Sequence, residues 1–206
     1  MNLEKLKLAE AMFMNSYPGG FSHPEMVAIG KKHRVDKMTA RTQESFAKKN
    51  FRDTPETLQA LIKIVSASSM VSVFEKPKFR DFVNGLEPKH QNMLVSGLKE
   101  RLHGDEQKGF ERILSVMQMG KIAKWSLISI CPVYFRPQHD VFVKPTTAKR
   151  VIAYFELDNL VYRPQPSWDF YTGFRDAITQ MKGEVDPALS PNNAAFTGFL
   201  MMSVGA

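Results

Sequence analysis

The chain has 206 residues, 43% hydrophobic and 24% charged, and its 28 Lys/Arg exceed its 21 Asp/Glu to give a formal net charge of +7. This composition excludes an intrinsically disordered chain, and the length suffices to bury a large core without covalent staples. The single cysteine, Cys131, excludes an intrachain disulfide and suits a reducing compartment.

The N-terminal run MNLEKLKLAEAMF alternates charged and apolar residues and lacks the apolar core of a secretory leader. No window approaches the roughly 18 uncharged apolar residues of a membrane span. A soluble, cytoplasmic protein is expected.

Helical periodicity then dominates. Leu3, Leu6, Ala9, Met12 and Phe13 share one face of a first helix that stops at Tyr17-Pro18-Gly19-Gly20. Ser22-His23-Pro24-Glu25 reads as a capping box opening a helix over residues 24–32, and a polar third helix spans 36–50. Residues 1–50 carry nine basic and five acidic groups, net +4.

Asp53-Thr54-Pro55-Glu56 is a helix start, followed by Leu58, Leu61, Ile62 and Val65 at helical spacing. Pro77 opens a short helix that ends near Gly85. Glu87-Pro88 opens a longer one that ends at Gly104, and Asp105 caps the next. Residues 51–120 hold ten basic and nine acidic groups and read as scaffold.

The apolar run Trp125 to Phe135 is a buried helix by its length. Ser167 caps a helix bearing Phe170, Phe174, Ile178 and Met181. Ser190-Pro191 opens a final helix whose Phe196, Phe199, Leu200 and Met202 dock on the core. Only Val141 to Lys144, and a second stretch at Val71 to Phe74, read as extended. The expected class is all-α, an orthogonal multi-helix domain of about nine to ten helices. Residues 1–50 form a basic N-terminal extension packed on a core built from 51–206.

No metal-ligand spacing, phosphate loop or nucleophile elbow occurs. The five histidines are scattered and read as solvated or capping groups; Cys131, among Ile128, Ile130, Val133 and Tyr134, reads as a buried, inert thiol. No metal or cofactor is expected. Asp140, Glu156 and Asp158 are the carboxylates that could do acid–base work if partly buried, and Asp140 and Asp158 are the two catalytic candidates. Asp158-Asn159 also fits a helix end and turn, and Asp140 can pair with Lys144 or Arg136.

Charge gives the clearest hint. Residues 120–164 contain seven Lys/Arg and three acids, net +4, which points to a polyanion. Thr146 and Thr147 can each cap the helix carrying Lys149 and Arg150, where a helix N-terminus offers free N–H groups to phosphate. Lys121 and Lys124 lie at the start of the preceding helix, in a turn whose N–H groups could do the same. With Lys144 these seven residues form the expected contact set for the phosphate backbone of double-stranded DNA.

Met119-Gly120-Lys121-Ile122-Ala123-Lys124-Trp125-Ser126 resembles a worn form of the Pro-Gly-Ile-Gly-Pro-Trp-Thr hairpin of the helix-hairpin-helix DNA glycosylases. Asp140-Val141-Phe142-Val143-Lys144-Pro145-Thr146 is similar to the Asp-Val-Phe segment that leads to that family's catalytic aspartate. Tyr162-Arg163-Pro164 and the aromatic segment Trp168 to Arg175 are similar to its closing helix. The resemblance covers residues 115–178, with no motif intact. Lys121 and Ala123 stand in place of the hairpin glycines, and Thr146 in place of the aspartate. It implies a DNA-binding scaffold related to repair enzymes that has lost the family's chemistry or moved it to Asp140 or Asp158.

Three functions therefore compete. The first is a DNA-binding helical protein, and the second a hydrolase on the same scaffold. The third is a protein-interaction module with a basic face and a C-terminal helix that forms homo-oligomers.

Overall fold

Ten consecutive residues, Trp125 to Tyr134, are buried, and the helix they form has no solvent face. The fold is organised around it. In the computed structural model, which describes residues 1–205, eleven α-helices and three short 3-10 turns supply all the regular structure, with no strand among the described residues. The all-α class follows.

The helices are α1 (Leu3–Ser16), α2 (Pro24–His33), α3 (Val35–Ser45), α4 (Thr54–Ala67), α5 (Glu75–Asn84) and α6 (Pro88–His103). They continue with α7 (Glu106–Met119), α8 (Trp125–Phe135), α9 (Pro145–Tyr154), α10 (Trp168–Gly183) and α11 (Asn193–Ser203). Helices α3, α4, α6 and α7 pack around α8. Pro132 lies inside α8, where it removes one intrahelical donor.

The starts follow local chemistry. Asp53 accepts from the Glu56 N–H, Asp105 from the Lys108 N–H and Ser167 from the Phe170 N–H, each at the expected position. Other boundaries move. The α2 cap is the His23 ring, whose Nδ1 accepts from the Glu25 N–H, because Pro24 occupies the first helical position and leaves His23, not Ser22, before it. Helix α3 stops at Ser45, and a separate turn spans Lys48–Asn50. Helix α5 begins at Glu75, two residues ahead of Pro77. Asn192, not Ser190, caps α11 by accepting from the Ala195 N–H. Neither Val71 to Phe74 nor Val141 to Lys144 pairs as a strand.

Helices α6 and α7 form a tight hairpin. A Cβ on Gly109 would fall against the Arg101 backbone and within 2.7 Å of the Gly97 carbonyl oxygen, so this approach requires glycine. The basic N-terminal residues share the common core: Leu6, Phe13, Met26, Met38 and Phe46 are all buried in it. Phe13 meets Phe199 of α11 edge to face at 5.2 Å, and the Asn2 N–H donates to the Phe155 carbonyl at 2.7 Å.

The connection from α8 to α9 runs through the interior. Val141, Phe142 and Val143 are buried without being in a sheet, so side chains must satisfy their backbone. The Val141 N–H donates to the Tyr171 hydroxyl and the Val143 N–H to Ser129 Oγ. Asn193 Nδ2 donates to the Asp140 carbonyl at 3.0 Å. These bonds fix Asp140 at the meeting point of α6, α7, α8 and α10.

Candidate nucleic-acid interface and the arginine cluster

The turn between α7 and α8 exposes Lys121 and Lys124. Lys121 is left-handed (φ 53°) at a position where the glycosylase resemblance has glycine. Its N–H donates to the Gln118 carbonyl, and the Ile122 N–H to that of Met117, closing the end of α7. The Lys124 N–H donates to the Ile122 carbonyl. The backbone N–H groups of Lys121, Ile122 and Lys124 are therefore occupied by the chain itself, and the two lysine side chains face solvent. Ser126 Oγ donates to Glu75 Oε2 at 2.7 Å, which sets a carboxylate at the start of α8, where the helix dipole favours it.

At α9 the expected caps are displaced. Pro145 takes the first helical position, so the cap position falls on Lys144, and Thr146 and Thr147 lie within the first turn. Neither threonine caps, and Thr147 is buried. The start of α9 carries no side-chain cap and no acid in its first turn. Lys144, Thr146, Lys149 and Arg150 are exposed around it. Lys149 Nζ lies 5.1 Å over the Tyr162 ring, and Arg150 donates to the Gly205 carbonyl.

Five aromatic residues, Trp125, Tyr134, Tyr154, Tyr162 and Trp168, lie among or just after these charges in the sequence. Trp125 and Tyr134 belong to the core: Trp125 Nε1 donates to the Arg163 carbonyl at 2.8 Å, and the Tyr134 hydroxyl bonds Ser68 Oγ. Tyr154, Tyr162 and Trp168 are half-buried.

The two carboxylate candidates are separated. Asp158 is exposed in the turn after α9. Asp140, fully buried, accepts at Oδ1 from Arg101 and from the Tyr171 hydroxyl, the latter at 2.7 Å, and at Oδ2 from Arg136 Nε at 2.7 Å. Arg101, only 1% exposed, lies against the rings of Trp168 and Tyr171 at 5.5 and 5.1 Å. Glu106, at the start of α7, is the second hub. It meets Arg101 Nη1 at 3.3 Å, Arg136 Nη1 at 2.7 Å and Arg175 Nη1 at 2.8 Å. Arg101 Nη1 makes no well-aligned hydrogen bond.

Three arginines thus enclose two carboxylates. Burial alone would raise the Glu106 carboxyl, but the hydrogen bond from Arg175 and the charges of Arg101 and Arg136 outweigh it and hold the pKa at about 2. Burial, reinforced by the charge of Asp140, pushes the Tyr171 hydroxyl well above its ordinary range. Neither group can exchange a proton near neutral pH. Asp140 is fully buried, and both of its carboxylate oxygens accept hydrogen bonds.

Glu106, His139 and Asp140 place one potential ligand atom each within 4.8 Å of one another. The carboxylate oxygens already serve guanidinium donors, so an incoming divalent cation would meet three positive charges. That donor set does not suit a metal. His139 Nε2 lies 3.2 Å from Glu106 Oε1 and 2.9 Å from Arg175 Nη1. Cys131 is buried, and its thiol is pushed up to about 12 by burial, which makes it unreactive.

Compared with known protein families, curated proteins and solved structures, the chain matches none. The arginine cluster was almost invisible in the sequence. Only the Arg136–Asp140 contact has a local signal, a spacing of four residues; Arg101, Glu106 and Arg175 carry none. The face of α11 expected to form oligomers is largely used inside the chain, with Phe196, Phe199 and Leu200 buried and only the rim residue Met202 exposed. No helix among the described residues is long and apolar enough to cross a membrane.

Proposed function

We propose that the protein binds nucleic acid, with double-stranded DNA as the principal form, through the phosphate backbone. One observation carries this reading. Lys121, Lys124, Lys144, Lys149 and Arg150 are all exposed, and among the described residues none of them forms an ion pair. Of the six Lys/Arg that find acidic partners among the described residues, three belong to the arginine cluster and three to surface pairs elsewhere.

The start of α9 supports the same reading, because Lys144 and Thr146 surround an uncapped helix N-terminus without an acid in its first turn. Lys121 provides side-chain charge from the preceding turn. The binding is non-catalytic: Thr146 stands where the glycosylase resemblance has its aspartate, and Asp140 is held by two arginines and a tyrosine. A cytoplasmic location, with access to nucleic acid, belongs to this reading.

The test is fluorescence anisotropy with a short labelled duplex across a salt series. Binding should weaken linearly in log affinity against log salt. A Lys121→Ala/Lys124→Ala/Lys149→Ala variant should show a slope shallower by about 2–3. No binding by the wild-type protein at low salt would end the proposal.

A further inference from the structure

The strongest concentration of charge lies outside the surface just described. Between Lys31 and Arg52 there are eight Lys/Arg and two acids, net +6 of the whole chain's +7. All eight cations are exposed, and among the described residues none is in an ion pair. The neighbouring carboxylate of Asp53 is engaged in capping α4.

The backbone organises these charges. Helix α2 ends with Lys31, Lys32 and His33 in its last turn, and Arg34, left-handed at φ 51°, links it to α3 without a loop. Arg34, Lys37 and Arg41 then follow at i, i+3 and i+7, one stripe along the exposed side of α3. The adjoining face is anchored by buried Met38 and Thr42, and Phe46, just past the helix end, is buried as well. Gln43 Nε2 donates to the Phe135 carbonyl at 3.0 Å, His103 bonds the Phe46 carbonyl at 2.7 Å, and His33 Nδ1 lies 2.9 Å from Ser69 Oγ. These bonds tie α3 to α6 and α8, and the end of α2 to the segment after α4.

A stripe of this kind costs stability. Lys37 and Arg41, four apart on a helix, repel each other, whereas a merely solubilising face gains more from alternating signs. A polyanion relieves that repulsion. Helix α3, with its 11 residues, is about 16 Å long, close to the axial rise of about five base pairs of duplex DNA. No large apolar side chain is exposed between Lys31 and Arg52, and the exposed Val27 and Ile29 of α2 precede the charged segment.

We infer that the α2–α3 corner is a second phosphate-contacting surface, independent of the Lys121–Arg150 region, and that its ligand is the backbone of a nucleic acid duplex. The inference rests on the nucleic-acid reading above and extends it to residues outside that region.

The experiment compares salt-dependent duplex binding by the full-length wild type, a Lys31→Ala/Lys37→Ala/Arg41→Ala variant and the Lys121→Ala/Lys124→Ala/Lys149→Ala variant. Thermal melts are recorded in parallel. The α2–α3 variant should lose about 2–3 from the slope and melt no lower than wild type, because the substitutions remove repulsion rather than packing. An unchanged slope in that variant, alongside wild-type binding, overturns this inference and leaves the broader reading standing. Absence of wild-type binding overturns both. Vesicles of anionic lipid or a polyglutamate chain that bind as tightly as the duplex, with the same loss in the α2–α3 variant, would assign the corner to a different partner and overturn the assignment to nucleic acid.

Discussion

Replacing Asp140 by Asn tests the central cluster most directly. The change keeps the shape but removes the charge, leaving Arg101, 1% exposed, facing only Glu106 at 3.3 Å in poor alignment. Breaking one side of a buried, hydrogen-bonded ion pair costs about 3–5 kcal/mol. Against a total stability of about 5–15 kcal/mol this is a large fraction. For a chain of this size it corresponds to a melting temperature lower by about 6–20 °C. Urea unfolding followed by circular dichroism measures it. Arg101→Met should also destabilise, and the double variant should lose less than the sum of the two by more than about 1 kcal/mol, because the partners are in contact. A loss below about 1 kcal/mol for Asp140→Asn, or strict additivity in the cycle, would refute the assignment of Asp140 as a charge-paired anchor.

Three further variants test other parts of the structure. The folded pKa of Glu106 lies below its ordinary 4.5, at about 2. The stability it contributes is therefore complete above about pH 4.5 and lost as pH falls toward 2. Glu106→Gln should flatten the acid limb of a stability–pH profile in that window, and an unchanged limb would show that the three arginines do not act on this carboxyl. Gly109→Ala should destabilise by about 3 kcal/mol or more, since its methyl group meets the Arg101 backbone. Gly30→Ala, in open space within α2, should stabilise by up to about 1 kcal/mol through helix propensity. Chemical denaturation of both variants checks the opposite signs, and a Gly109→Ala variant as stable as wild type would mean that the α6–α7 approach is looser than described.

The sequence by itself determined the helical class, most helix starts and the burial of α8. These are consequences of interactions within a few residues: the caps at Asp53, Asp105 and Ser167, and the unbroken apolar run from Trp125 to Tyr134. It misassigned the capping residue where proline competes with a nearby polar residue, as at Pro24 and Pro145, because proline's fixed φ moves the cap to the residue before it. The charge of the α2–α3 corner is present in the sequence too, but over residues 1–50 it falls to +4, because that range includes Glu25 and stops before Arg52. A window limited to 31–52 would have found it.

Only the tertiary structure decided which charges are used internally and which face solvent. Asp140 was legible as a candidate acid, yet its role depends on Arg101, 39 residues earlier, and Tyr171, 31 residues later. Glu106 looked like part of an ordinary helix start and became a hub once Arg136 and Arg175 closed over it. The glycine contact between α6 and α7 was hidden for the same reason. Helix formation is governed by near neighbours, so its signals survive in a single sequence. Ion pairing and close packing depend on residues brought together from distant positions, and no local pattern records those partners.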